Sequence, residues 1–315
     1  MLRGLRRVAP LAAVLALAVL ATGCGQYAKL QARQAFKEAN LLYSQQDYKR
    51  AAAKYEEVIQ KDPSMSVAYF YLANSYDNLY KPSRKGEAEN DSYLTKAVEY
   101  YQLAGEKEAD PTLRKRSFEF LVAAYGADKL NDPSQQEPIV NRMIELDPQD
   151  VTNYFALAKI REDAGDYEKA EEVLLQAKQA RPNDPQVYLQ LAGFYNRQEE
   201  FEQTIDALNQ RAAIEPNNPE AFYTISTYYW DKAYRDFRLK DAEKLDFVMK
   251  GIAEVDKALQ LKADYMEALT YKNLLLRLQA NLEKDPSKQS ALLKEADRLR
   301  DIALDMKKKQ VAGIK

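Results

Sequence analysis

The chain has 315 residues, with 46 Lys and Arg against 48 Asp and Glu, and its formal net charge of −2 lacks the basic excess that nucleic-acid binding leaves. It contains no histidine and one cysteine. That excludes the usual near-neutral general base, the commonest metal ligand, an intrachain disulfide and a four-thiolate metal site. Charged residues at 30% with only 10 glycines suit long amphipathic helices better than strands joined by tight turns.

The first element in chain order is Met1 to Cys24. Arg3, Arg6 and Arg7 precede an apolar run from Val8 to Leu20 that ends in small residues. This is the layout of a secretory signal, too short for a comfortable membrane span. Its end, Leu20-Ala21-Thr22-Gly23-Cys24, resembles the lipobox of bacterial lipoproteins, with Ala21 where those proteins most often have leucine. The resemblance implies a signal peptide over 1–23, cleavage before Cys24, and fatty acylation of that cysteine (palmitate among the chains). Residues 24–31 are then a lipidated N-terminus and short tether. One buried chain holds a protein to a bilayer only marginally, at about 0.8 kcal/mol per CH₂, whereas several anchor it durably. Gly25 is not the aspartate of the inner-membrane retention signal, so the expected location is the outer membrane, facing the periplasm.

The body is periodic. A first unit carries Ala39 and Leu42, the turn Gln46-Asp47-Tyr48, then Ala51, Tyr55, Val58 and Pro63. A second has Tyr69, Leu72, Ala73 and Tyr76, then Ala97, Tyr101 and Ala104; a looser third has Phe118, Leu121, Val122, Tyr125, Val140 and Met143. The clearest unit runs from Val151 to Pro182, with Tyr154, Leu157 and Ala158 on one helix, Gly165-Asp166-Tyr167 as the turn, and Ala170, Leu174 and Ala177 on the next. Tyr188, Leu191, Ala192, Tyr195, Thr204 and Leu208 repeat the scheme, followed by Phe222, Ile225, Ser226, Tyr229, Gly251, Val255 and Ala258. Pro148, Pro182 and Pro216 punctuate it at even spacing, each stopping a helix because proline lacks an N–H donor and biases its predecessor away from helix.

That period and these small-residue positions resemble the tetratricopeptide repeat family. The resemblance implies an all-α fold, an α-solenoid of about six helix-turn-helix repeats over 32–265, with long insertions near 77–96 and 230–250. The charged segment 266–315 is expected to form a C-terminal pair of capping helices. The insertion at 81–92 is expected to be an exposed loop, and that at 231–248 to lengthen helices. In the family the free face of each first helix lines a concave partner-binding surface. By helical spacing that face holds Phe36, Asn40 and Tyr43; Phe70, Asn74 and Asp77; Phe155, Lys159 and Glu162; Leu189 and Asn196; and Tyr223, Thr227 and Trp230. Rings give contact area at low entropic cost, and amides satisfy peptide groups. The family's carboxylate clamp is not matched: Asn40 and Asn74 fit, but Phe36, Glu119 and Ala123 stand where cations are required.

The sequence contains no glycine-rich phosphate loop, no G-x-S-x-G elbow and no cluster of metal ligands. Pairs such as Glu171-Glu172 are neighbours in sequence, which diverge on a helix. The expectation is a non-enzymatic, membrane-anchored scaffold of the bacterial cell envelope. It binds proteins or peptide segments without cofactor, metal or nucleic acid, in assembly of an envelope, pilus or secretion complex. The alternative is a periplasmic protein that binds glycan or peptidoglycan fragments on the same rings.

Overall fold

The computed structural model describes residues 9–313, with side chains from Gly25 onward. The signal-peptide residues 1–8 and the side chain of Cys24 lie outside the described residues. The fold is all-helical and divides after Ala164 into two compact units. The first unit contains α1 (Ala9–Ser44) paired with α2 (Tyr48–Lys61), α3 (Ser66–Leu79) with α4 (Ala88–Lys107), α5 (Pro111–Ala124) with α6 (Gln136–Leu146), and α7 (Val151–Asp163). The second begins with α8 (Tyr167–Ala180), continues with α9 (Pro185–Arg197) paired with α10 (Phe201–Ile214) and α11 (Pro219–Arg235) with α12 (Asp241–Leu261), and ends with α13 (Met266–Leu282) paired with α14 (Pro286–Val311).

Local chemistry sets the helix starts. Asp150, Asp184, Asn218 and Asp285 each accept a hydrogen bond from a backbone N–H in the first turn of α7, α9, α11 and α14. Proline stands in that first turn in α9, α11 and α14, where its missing donor costs nothing. The prolines that close the repeats are themselves acceptors. The hydroxyl of Tyr69 donates to the carbonyl of Pro63 at 3.2 Å, Tyr154 to Pro148 at 3.1 Å and Tyr188 to Pro182 at 2.7 Å. Each tyrosine lies six residues after its proline, so one bond fixes the entry angle of a helix against the preceding turn. After Pro216 the sixth residue is Phe222, which cannot donate; the Lys257 ammonium lies over its ring at 5.6 Å instead.

Within each unit the helices interlock through large rings set against small residues. Ala39, Ala51, Tyr55, Leu72, Ala97 and Tyr101 are buried in the first unit, and Ala170, Leu208, Ile225, Val255 and Leu275 in the second. Gly105 of α4 meets the Phe118 ring so closely that a Cβ there would fall 2.6 Å from it, and one on Gly251 would fall 2.9 Å from Leu275. Helix α1 starts well before Ala39. Ala32 and Ala35 are already buried, and Lys61 donates to Gln31 at 2.8 Å; the segment expected as a tether is helical, with Tyr27 and Leu30 exposed and Gln31 fastened to α2.

The connection between α3 and α4 is exposed but fastened. Buried Asn90 accepts from the Lys81 N–H at 2.8 Å and donates to the Lys81 and Arg84 carbonyls at 3.1 Å, while Gly86, at φ +97°, donates to Asp91. In the second unit α11 and α12 are longer than their neighbours and are joined by a short turn at 236–240. Among the described residues no helix is long and apolar enough to cross a membrane.

Candidate functional site

In the first unit, most of the residues expected on a free face are engaged by neighbouring repeats. The Phe36 ring lies 5.9 Å from Tyr55 and 6.5 Å from Tyr71, and Tyr43 packs edge-on to Tyr71 at 5.4 Å. Phe70 is buried against Tyr71, Tyr101 and Phe120. Asn74 is buried as well: it accepts from the Tyr43 hydroxyl at 2.6 Å and from Asn78 at 2.9 Å, and donates to the Tyr101 hydroxyl at 3.0 Å. Asp77 is ion-paired with Lys129. Phe70 and Asn74 are therefore structural in this chain, a correction to their expected place on an open surface. The physical reason is that tyrosines from adjacent helices fill the space a ligand would need. Asn40 remains exposed while accepting from Tyr55 at 2.7 Å, and Lys159 pairs with Asp163 at 2.5 Å on the surface of α7. Phe155 and Glu162 are half-buried on the same helix.

Burial also governs the electrostatics of these rings. It pushes the Tyr43 and Tyr101 hydroxyls above the ordinary phenol range, with the Asp77 carboxylate adding to the effect at Tyr101. Both are neutral hydrogen-bonding groups at any physiological pH.

The second unit is different. Tyr223, Thr227 and Trp230 form one stripe along α11, continued by Tyr234, which is 61% exposed. Where α11 meets α13 the rings form a continuous row. Tyr265 lies 5.2 Å from Tyr223, Tyr223 lies 5.4 Å from Tyr271, Tyr271 lies 5.6 Å from Trp230, and Trp230 stacks on Tyr234 at 4.9 Å with the planes 10° apart. The contacts of Tyr271 with Tyr223 and Trp230 are nearly perpendicular, at 84° and 82°. Burial and the neighbouring phenols push the Tyr223 hydroxyl up to about 12. The hydroxyls of Tyr223, Tyr265, Tyr271 and Tyr234 and the Trp230 indole N–H have no hydrogen-bond partner among the described residues. Thr227 instead donates to the Thr224 carbonyl at 2.7 Å.

Leu189 is half-buried on α9, and Asn196 is exposed on its last turn. Asn196 lines a cleft of about 580 Å³ together with Phe201, Lys232, Asp236 and Phe237, and the Phe237 side chain is 87% exposed at the turn after α11. Asp236 is held below the usual carboxylate range by Arg238 and Lys232. Helical spacing of the repeats missed Tyr71, Tyr234, Tyr265, Tyr271 and Phe237. In the structure Ala268 of α13 is buried as Ala221 of α11 is.

Tetratricopeptide repeat models match residues 36–111 and 151–194. Repeats of that type are therefore recognised in the chain, and the described residues are all-α. No curated protein matches the chain. Among solved structures, the C-terminal part of a tetratricopeptide repeat-containing protein from Cytophaga hutchinsonii is similar at a TM-score of 0.53 and 15% identity, covering 86% of this chain and 98% of that one. MamA from Desulfovibrio magneticus gives 0.42 and 13% over 64% of this chain and 98% of that one. YrrB, described as a tetratricopeptide protein with an unusual peptide-binding site, gives 0.38 and 20% over 60% and 89%. At these identities the Cytophaga likeness is one of fold.

Proposed function

We propose that the protein is a non-enzymatic scaffold of the bacterial envelope, held to the outer membrane through lipids on Cys24 and gripping partner proteins on the first-helix faces of its repeats. The process it serves is the assembly of an envelope, pilus or secretion complex. The observation that carries the protein-binding reading is the aromatic row on α11 and α13. Five partly exposed rings with donors unpaired among the described residues supply contact area and hydrogen bonds. Tyr and Trp are enriched where interfaces gain most of their affinity. The lipobox resemblance at Cys24 supports the anchor, and Asn40, Lys159 and Asn196 remain accessible for contacts elsewhere.

A photo-crosslinking residue replacing Tyr234, next to Trp230 and the most exposed ring of the row, tests the reading in intact cells. Discrete protein adducts are expected. A lack of adducts, with Trp230 fluorescence quenched by saccharides in the purified protein, would overturn it in favour of glycan binding. Cys24→Ser is expected to move the folded protein from the membrane to the released fraction, and a variant that stays bound refutes the lipid anchor.

A further inference from the structure

The row on α11 and α13 has a chemistry more specific than aromatic. Its polar atoms are four phenol hydroxyls and one indole N–H, none of which has a hydrogen-bond partner among the described residues. The perpendicular contacts on either side of Tyr271 make slots rather than a flat platform. From Tyr223 to Tyr234 the row runs about 16 Å along α11 at the helical rise. That length matches roughly five residues of polyproline II helix at 3.1 Å each.

The ends of the row differ in charge. Glu267 opens α13 beside Tyr265 and Tyr223, is exposed, and makes no ion pair among the described residues. Its charge adds to burial in making both phenols harder to ionise. Glu220, on the first turn of α11, adds a second carboxylate at that end, shared with Arg211 at 3.5 Å. At the far end Asp231 is matched by Arg235 at 2.7 Å. The Lys262 ammonium also lies at the Tyr265 end, 5.0 Å over that ring, so Glu267 is an exposed carboxylate there that a second cation can meet.

We propose that this row is a docking groove for an extended, proline-rich segment of a partner protein, carrying a Lys or Arg beside its prolines that seats against Glu267. Polyproline II presents backbone carbonyls that nothing in the peptide satisfies, and proline contributes no N–H to compete, so a surface of donors suits it. Pyrrolidine rings fill slots between aromatic rings at little entropic cost because the peptide is already extended. The cation gains from the Glu267 carboxylate, since Lys262 already lies over the Tyr265 ring. A saccharide fits less well, because the carboxylates stand only at the Tyr265 end and the rest of the row offers phenols and an indole between its rings. The proposal rests on the protein-binding reading above and deepens it.

The test uses the full-length protein in detergent, with Trp230, its one tryptophan, as the reporter. Three synthetic peptides are titrated: a proline-rich peptide with two lysines at one end, the same peptide with alanine for proline, and the same with glutamate for lysine. The first is expected to change Trp230 fluorescence saturably, and each of the others to bind about five-fold or more weakly. Tyr223→Phe and Tyr271→Phe keep the rings and remove only donors, and each should weaken the first peptide roughly three- to ten-fold. Glu267→Gln should reduce the affinity several-fold and flatten its salt dependence.

Equal binding of the alanine peptide, or no saturable response to the first peptide by protein with wild-type circular dichroism, overturns the proposal. Photo-crosslinks to partner proteins alongside that result would leave the scaffold reading standing. Absence of protein adducts would bring down the scaffold reading itself.

Discussion

Replacing Asn74 with alanine should destabilise the first unit far more than its surface position in a repeat suggests. The side chain is 7% exposed and makes three hydrogen bonds, to Tyr43, Asn78 and Tyr101. Asn78 is exposed and Tyr43 only half-buried, so both can recover solvent, and the loss there is about 1 kcal/mol. The fully buried Tyr101 hydroxyl cannot; it keeps only a 3.4 Å contact with Asp77. A buried polar group left without its partner costs about 1–3 kcal/mol. The sum for Asn74→Ala is about 3 kcal/mol. In a Tyr101→Phe background the stranded hydroxyl is gone, and the same substitution should cost about 1–2 kcal/mol less, which a double-mutant cycle reads as coupling. Urea unfolding must be followed by far-UV circular dichroism, because Trp230 reports on the other unit. A single-variant cost below about 1 kcal/mol, or strictly additive variants, would show that Asn74 is not the buried polar hub described above.

Three further outcomes follow from the backbone, the packing and one ion pair. Glu199, at φ +62°, occupies the left-handed turn position that Gly165 fills at φ +78°. Glu199→Gly should therefore stabilise the protein or leave it unchanged, whereas Gly165→Ala should cost about 1–2 kcal/mol; thermal melts check the sign of each. Gly105→Ala should cost about 1–3 kcal/mol by forcing the Phe118 ring aside, and Phe118→Leu should suppress that increment; a harmless Gly105→Ala refutes the close approach. At Asp150 burial raises the pKa, but Lys115, the Thr152 hydroxyl and the Thr152 N–H outweigh it and leave the carboxyl below its ordinary value of 3.8. Its contribution is then complete above the unfolded pKa and is lost as pH falls through the lower folded one. Asp150→Asn should make the acid limb of stability shallower, and an identical limb in wild type and variant would count against the pair.

How far the residues alone reveal the fold and the site is decided by the range of the interactions involved. Helix stops at proline, starts at Asp or Asn, and small residues at crossings are local rules, so Pro182, Asp184, Ala192 and Gly165 announce their roles within a few positions. Helical spacing also groups Phe70 with Asn74, and Tyr223 with Trp230, on one side of each helix, the side expected from the sequence to be free. Spacing carries no information about depth. Whether that side is open or filled depends on which residue the neighbouring repeat presents, a contact between positions such as Tyr43 and Asn74 or Tyr223 and Tyr271. In the first unit the neighbours are tyrosines that reach across and consume Asn74. In the second, the tyrosines at 265 and 271 flank Tyr223 and Trp230 without bonding to them, and the donors stay free. One residue type thus closes one face and builds the other. The difference is whether an amide stands opposite to receive the hydroxyl. A repeat whose first helix carries asparagine against a tyrosine from the next helix over is sealed, and one that sets ring against ring keeps its hydrogen-bonding capacity for a partner.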